Sequence, residues 1–317
     1  MRVVIGIELE PEQTKRIRDS FPDLEVVEVP DKDSLLAAMP SAVVLFGGKH
    51  HAEFLPIARE LRWIQTYSAG INFLPLSELS ARGIQLTNAS GAHAVQITEN
   101  VLSMMLAFAV RLPDLIRAQG NGAWIARQID KDKFSLHGQT LLIIGLGGIG
   151  AALAEKAAAL GLHVIGIRNR PLPPPAGVAE LATSDELHAC LAKSDHVALC
   201  LPLTSDTTNY IGEAELRAMK PAAYIYNVGR GKSINQATLV QALSEGWIAG
   251  AGLDVTDPEP LASDDPIWKL PNVILTQHTS GGIPDLDRRV TDIFIENLRR
   301  FTKNEPLKNL IDLDRQY

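Results

Sequence analysis

A strand that turns into a helix through three spaced glycines narrows the possible folds of this chain at once. The run Leu141-Leu142-Ile143-Ile144-Gly145-Leu146-Gly147-Gly148-Ile149-Gly150 carries a Gly-x-Gly-x-x-Gly spacing between an apolar stretch and an alanine-rich segment, residues 151–160. In that setting Gly145 permits the tight turn, Gly147 lets the backbone approach a pyrophosphate, and Gly150 lets helix and strand pack closely. The helix start adds unpaired N–H groups and the positive end of its dipole. Gly148 and Ile149 lie inside the same turn. The spacing therefore predicts a dinucleotide-binding α/β domain.

The rest of the chain agrees in pattern. Short apolar runs alternate with helical periodicity almost from end to end, the mark of βα units and a mostly parallel sheet. Strands are expected at 3–7, 25–29, 42–46, 63–67 and 84–86, with helical segments at 11–20 and 34–39. After the glycine motif, strands recur at 163–167, 196–201, 223–227, 250–254 and 273–276. One long helix is expected from His93 to about Arg117, passing from one domain into the next. A further helix at 286–301 is expected to fold back onto the first domain. With 317 residues, about two domains are anticipated: residues 1–98 with 284–317, and residues 99–283.

Composition removes several classes of function. Acidic residues outnumber basic ones, 37 against 30, and a net charge of −7 argues against bulk binding to nucleic acid or anionic membranes. The two cysteines, Cys190 and Cys200, are too few for a disulfide framework and have no zinc-site spacing. Neither a signal-peptide core nor a stretch of the ~20 apolar residues a spanning helix needs is apparent, so a cytoplasmic protein is expected. No metal cluster is apparent either.

The second strand of the glycine domain ends in Arg168-Asn169-Arg170. An NAD site usually carries a carboxylate there for the ribose 2′-OH. Two guanidinium groups suit a 2′-phosphate instead, which predicts NADP(H) as the preferred cofactor, with NAD(H) possible.

Three later strands run into Arg230, Glu259 and His278. Ligands of open α/β sheets bind outside the carboxyl ends of the strands, so these three should converge there. An arginine can hold a carboxylate and polarise the adjacent carbonyl; a histidine can exchange a proton with the oxygen; a glutamate can orient and stabilise the imidazolium. Beside a dinucleotide, that set suits hydride transfer at a carbon bearing oxygen.

These blocks carry a resemblance. Tyr67-Ser68-Ala69-Gly70, Leu201-Pro202-Leu203-Thr204, Asn227-Val228-Gly229-Arg230-Gly231, Gly252-Leu253-Asp254-Val255 and Pro271-Asn272-Val273-Ile274-Leu275-Thr276 resemble, in order and spacing, the D-isomer-specific 2-hydroxyacid dehydrogenases, of which glyoxylate/hydroxypyruvate reductases are members. The resemblance implies an α/β fold of two Rossmann- or flavodoxin-like domains with parallel sheets, the first discontinuous, and an active site in the cleft between them. It implies a homodimer joined through the cofactor domains. It places the substrate arginine at Arg230, the acidic orienter at Glu259 and the acid/base histidine at His278. It also implies a nicotinamide ligand at Asp254, a substrate-carboxylate loop at Ser68, Ala69 and Gly70, and dinucleotide contacts at Gly148, Ile149, Pro202, Thr207, Val228 and Gly281. Two positions depart from the family pattern: Gln277 stands where many relatives have proline, and Gly148 where many have a basic residue. Glutamate at 259 sets the chain apart from formate dehydrogenases, which carry glutamine.

The leading expectation is therefore NAD(P)H-dependent reduction of a small 2-oxo acid such as glyoxylate or hydroxypyruvate to the D-2-hydroxy acid. The alternatives are a bulkier substrate of the hydroxyphenylpyruvate type and a dinucleotide-sensing scaffold resembling co-repressors of this fold. His50 and His51 could contact substrate, but adjacent side chains diverge and a solvated loop is the favoured reading. Trp124 suits either a substrate contact from a neighbouring subunit or an interface anchor.

Overall fold

The computed structural model describes residues 1–169 and 172–316. The chain forms two compact units, Met1–His93 with Gly282–Tyr317, and Ala94–Gly281.

The first unit holds five parallel strands, β1 (Arg2–Ile5), β2 (Glu25–Glu28), β3 (Val44–Phe46), β4 (Trp63–Gln65) and β5 (Gln85–Thr87). Their order is β2-β1-β3-β4-β5, with Val3 in register with both Val26 and Val44. The inner strands are buried on both faces, as a helix-covered parallel sheet requires. Val4, Leu45 and Ile64 pack with Phe54 and Leu79 on one face; Val3, Ile5, Phe46 and Trp63 pack with Phe294 on the other. Phe294 belongs to the helix Leu286–Thr302, which buries Val290, Phe294 and Leu298 at four-residue spacing. Its ring stacks on Phe46 at 4.3 Å and on Trp63 at 5.5 Å. Buried polar groups in this core are joined in a chain: Trp63 Nε1 donates to Thr87 Oγ1, and Thr87 Oγ1 donates to Gln65 Oε1.

The second unit holds seven parallel strands, β6 (Thr140–Ile144), β7 (His163–Ile167), β8 (Glu180–Ala182), β9 (His196–Leu199), β10 (Tyr224–Asn227), β11 (Gly250–Leu253) and β12 (Val273–Leu275). Their order is β12-β11-β10-β9-β6-β7-β8. The chain first builds outward from β6 through β7 and β8, then returns to build β9 to β12 on the other side. The switch point thus lies between β6 and β9, where a doubly wound sheet opens a crevice at its carboxyl edge. Both faces are packed, Leu142 and Ile144 on one side and Leu141 and Ile143 on the other.

Two expectations need correction. The single long helix is two, Ala94–Ala109 and Leu112–Gly120, both within the second unit. Arg111 takes a left-handed conformation, φ 60°, and Pro113 follows. Proline at 113 would clash with the carbonyl of Ala109 in a continuous helix, so the chain breaks there and restarts with proline in the first turn. The strand β8 adds to the expected set; its three residues include two exposed ones and present no alternation to read. No helix among the described residues is long and apolar enough to cross a membrane.

Candidate active site

At the end of β6, Gly145 adopts φ +97°, and a Cβ there would lie 3.0 Å from the Cys200 carbonyl oxygen. A Cβ at Gly150 would lie 2.0 Å from the Gly145 carbonyl oxygen, so the helix sits directly on the turn. At Gly147, by contrast, a Cβ would meet nothing within 4 Å. Ala151 makes the first helical donation, to Gly147 at 2.9 Å, and the N–H groups of Gly148, Ile149 and Gly150 donate to nothing among the described residues. Tight at Gly145 and Gly150 and open over Gly147, with three spare N–H groups at the start of a 12-residue helix, this turn fits a dinucleotide pyrophosphate.

Arg168, one residue beyond β7, turns back to this turn: Nη2 donates to the Leu146 carbonyl at 2.8 Å and Nη1 to that of Pro173 at 3.1 Å. These bonds fix the fork while leaving other N–H donors of the guanidinium uncommitted among the described residues. Asn169 follows, exposed; Arg170 lies outside the described residues. Beyond β9, Thr207 Oγ1 donates to the Pro202 carbonyl and accepts from Thr204 N–H, each at 2.7 Å, closing that loop on itself. Val228 is buried and donates to the Leu199 carbonyl, 3.2 Å.

Arg230, Glu259 and His278 follow the three consecutive neighbours β10, β11 and β12. Buried Asn227 shapes the first loop, accepting from Gly229 N–H (3.1 Å) and donating to the Arg230 carbonyl (2.8 Å). Arg230 Nη1 donates to the Gly229 carbonyl, 2.6 Å. Burial holds its guanidinium below the usual range, with the Glu259 charge opposing that effect. A Cβ on Gly231 would fall 1.8 Å from the Thr256 carbonyl oxygen, so the Arg230 loop rests directly on the Glu259 loop. Glu259 Oε1 accepts from Thr256 N–H at 3.0 Å, and Oε2 meets His278 Nδ1 at 2.7 Å. The structure therefore brings carboxylate, imidazole and guanidinium loops together within the second unit.

His278 is held by a latch centred on buried Asp254. Its Oδ1 accepts from Thr276 Oγ1 (2.6 Å), Thr279 N–H (3.1 Å) and Ser280 N–H (3.2 Å); its Oδ2 accepts from Ser280 Oγ. Both Asp254 oxygens are thus occupied in fixing the loop. Gln277 and His278 are left-handed, φ 51° and 56°, and the next residues are tied down by this latch. Gly281 ends the segment and the second unit. A cavity of about 530 Å³ adjoins the pair, lined by Glu259, His278 and Gln277 and by apolar Leu261, Trp268 and Leu275.

In the first unit, three carbonyls of the loop after β4 each accept a side-chain hydrogen bond. Ser68 O accepts from Thr66 Oγ1 (2.8 Å), Ala69 O from Asn88 Nδ2 (2.7 Å) and Gly70 O from Ser68 Oγ (2.7 Å). The N–H groups of Ser68, Ala69 and Gly70 donate to nothing among the described residues. Such a row of amides is suited to an anion. His50 takes a left-handed conformation after β3 and lines a separate cavity of about 620 Å³ with Lys49 and Tyr67.

Residues 102–280 match the D-isomer specific 2-hydroxyacid dehydrogenase, NAD binding domain family. A glyoxylate reductase of Korarchaeum cryptofilum is 33% identical over 292 residues, covering 90% of this chain and 85% of the relative. The chain belongs to the D-isomer specific 2-hydroxyacid dehydrogenases. Two solved members of the family align along nearly the full length. The protein from Aeromonas salmonicida is 29% identical with a TM-score of 0.84, covering 99% of each chain. The Xanthobacter autotrophicus enzyme, solved with NADPH and MES, is 27% identical with a TM-score of 0.87, covering 100% of this chain and 99% of its own.

Within this dehydrogenase, sequence reasoning passed over several residues that shape the site. Asn227, Thr256, Thr276 and Ser280 bond to the loops of Arg230, Glu259 and His278, yet each is a small polar residue with no spacing rule of its own. Only the Thr256–Glu259 pair had a readable signal, a carboxylate placed three residues after the N–H that it accepts from, as in a capping box. Cys200 offers no chemistry: desolvation pushes its thiol up to about 12.

Proposed function

We propose that this dehydrogenase reduces a small 2-oxo acid of the glyoxylate or hydroxypyruvate type to its D-2-hydroxy acid, with NADPH preferred over NADH. The observation that carries the reading is the 2.7 Å contact of His278 Nδ1 with a Glu259 carboxylate whose other oxygen is already fixed. It commits Nδ1 to the carboxylate and leaves Nε2 as the nitrogen for substrate. A bound nicotinamide dinucleotide supplies the hydride. His278 then gives its Nε2 proton to the substrate oxygen and keeps Nδ1–H on Glu259, which stabilises the imidazolium beforehand and fixes the tautomer afterwards. Arg230 holds the substrate carboxylate and carbonyl with its fork and polarises the carbonyl. Ser68, Ala69 and Gly70 offer their N–H groups to a carboxylate. The glycine turn and first helical N–H groups hold the pyrophosphate, while Pro202, Thr207, Val228 and Asp254 shape the dinucleotide pocket.

Arg168, tied beside the glycine turn with no carboxylate at 168 or 169, supports the 2′-phosphate preference. So does the Xanthobacter relative, which was solved with NADPH. The glyoxylate substrate class is supported by the name of the Korarchaeum relative.

Steady-state oxidation of NADPH and NADH with glyoxylate, hydroxypyruvate and hydroxyphenylpyruvate tests the reading. Turnover should be fastest on the small acids with NADPH, giving the D product on a chiral column. A preference for hydroxyphenylpyruvate transfers the assignment to a bulky substrate, and dinucleotide binding without turnover on any 2-oxo acid leaves only the scaffold. R168D should narrow the NADPH preference by roughly tenfold or more, the worth of a lost charge-assisted bond; unchanged discrimination removes Arg168 from the 2′-phosphate site.

A further inference from the structure

Glu259 works only if its carboxylate stays aimed at His278, and the bonds inside its own loop do not guarantee that. Thr256 N–H donates to Glu259 and Thr256 Oγ1 to the Pro258 carbonyl, 3.0 Å each. Both bonds preserve the shape of the loop without anchoring it to the rest of the unit. An anchor comes from a residue that the proposed chemistry does not use. Gln236, the first residue of the helix Gln236–Glu245, accepts from Asp257 N–H through Oε1 at 2.9 Å. Its Nε2 donates to Asp265 Oδ2 at 3.2 Å, and Asp265 Oδ1 accepts from Ile267 N–H at 2.9 Å, capping the short helix Pro266–Lys269.

We infer that Gln236 is a positioning residue for Glu259, bridging the segment that carries the carboxylate to the capped turn at Asp265. The chemistry of the two partners sets the amide's orientation, because only its oxygen can meet an N–H and only its nitrogen can meet a carboxylate. The same logic explains the residue type. Glutamate would still accept from Asp257 but would repel Asp265, and alanine would do neither. Loss of the bridge lets the 256–260 segment shift, and small displacements of an orienting group are costly in rate.

This inference rests on the reading of Glu259 as the partner of His278, so E259Q is measured beside the Gln236 variants. In the full chain, with glyoxylate and NADPH, Q236A should lower kcat roughly tenfold while leaving NADPH affinity, read by fluorescence titration, unchanged. The basic limb of its pH–rate profile should move to lower pH, as it does in E259Q, because both weaken support for the imidazolium. Q236E should lose activity similarly. Q236E/D265N should regain it to within about threefold of wild type, since the amide introduced at position 265 can donate to the new carboxylate while its oxygen still accepts from Ile267 N–H. Wild-type kcat and pH profile in Q236A, with E259Q impaired, overturns the inference alone. No recovery in the double variant, folded like the wild type by circular dichroism, also overturns it. Wild-type behaviour in E259Q overturns the reading beneath it.

Discussion

Under the proposed function His278 and Arg230 should respond differently to removal, because one would move a proton and the other would hold a charge. H278A should lower kcat by about 10²–10⁴-fold with NADPH affinity intact. R230A should raise KM for the oxo acid as well as lower kcat, since in the proposed role its fork acts on bound substrate and on the developing oxyanion. Wild-type kcat in H278A would remove the proton-transfer role. A second histidine shows what burial does without catalysis. His196 on β9 is fully buried, with Nε2 at 2.7 Å from Gln139 Oε1 and Nδ1 at 3.1 Å from the Tyr226 hydroxyl. The amide oxygen must accept, so Nε2 carries the proton and Nδ1 accepts from tyrosine; the neutral ring satisfies both partners. Desolvation pushes its pKa down to about 4 from 6.5. The unfolded chain therefore binds a proton that the folded one refuses between those values. The stabilisation is complete above pH 6.5 and is lost as pH falls toward 4, by up to about 3 kcal/mol. Urea unfolding across that window should show a shallower pH slope in H196Q than in wild type. Equal slopes would mean that His196 titrates alike in both states.

At the scale of elements, β11 and β12 each end one residue before the expected position, and the residues just beyond them build the site. Asp254 and Thr276 stand just beyond the strands with their N–H groups still donating to the Asn227 and Leu253 carbonyls, while their side chains form the latch around His278. Periodicity located the strands because burial on both faces is written in the side chains. It did not locate the latch, which depends on hydrogen bonds between loops distant in sequence. The glycine turn was readable because its demands are local, φ +97° at Gly145 and close packing at Gly150. The break at Arg111 could have been read from Pro113, but the apolar period on both sides masked it. Gln277 was visible as a departure from the family, and its consequence emerges only from the backbone. At φ 51° the residue occupies a region closed to proline, whose ring fixes φ near −65°. This loop is therefore fixed by the Asp254 bonds rather than by a ring. Q277P should pull His278 from its bond with Glu259, lowering kcat and destabilising the unit by at least about 1 kcal/mol in denaturant. Unchanged kcat and stability would show that the left-handed pair is dispensable.

The whole molecule repeats one construction, a parallel sheet covered on both faces, and the second copy carries the Gly-x-Gly-x-x-Gly turn at its switch point. That second unit also exposes several large apolar side chains. Leu106, Leu112 and Ile116 on the helices Ala94–Ala109 and Leu112–Gly120, and Val110 between them, are all substantially exposed, Ile116 at 58%, and Trp124 just beyond them is 91% exposed. Apolar exposure clustered in sequence suits an association surface, and the cofactor unit is where the proposed homodimer would join. Each such side chain buried in a partner contributes about 1.5–3 kcal/mol of transfer free energy, enough for several together to hold two copies at micromolar concentration. Sedimentation velocity should find a dimer in the wild type and a monomer in L112E/I116E, where two carboxylates would be buried without partners. The thermal midpoint should rise with protein concentration in the wild type and not in the variant, because only association couples stability to concentration. A variant that stays dimeric would move the interface elsewhere on the molecule, and a monomeric wild type would leave Trp124 and its neighbours without an occupant of their own kind.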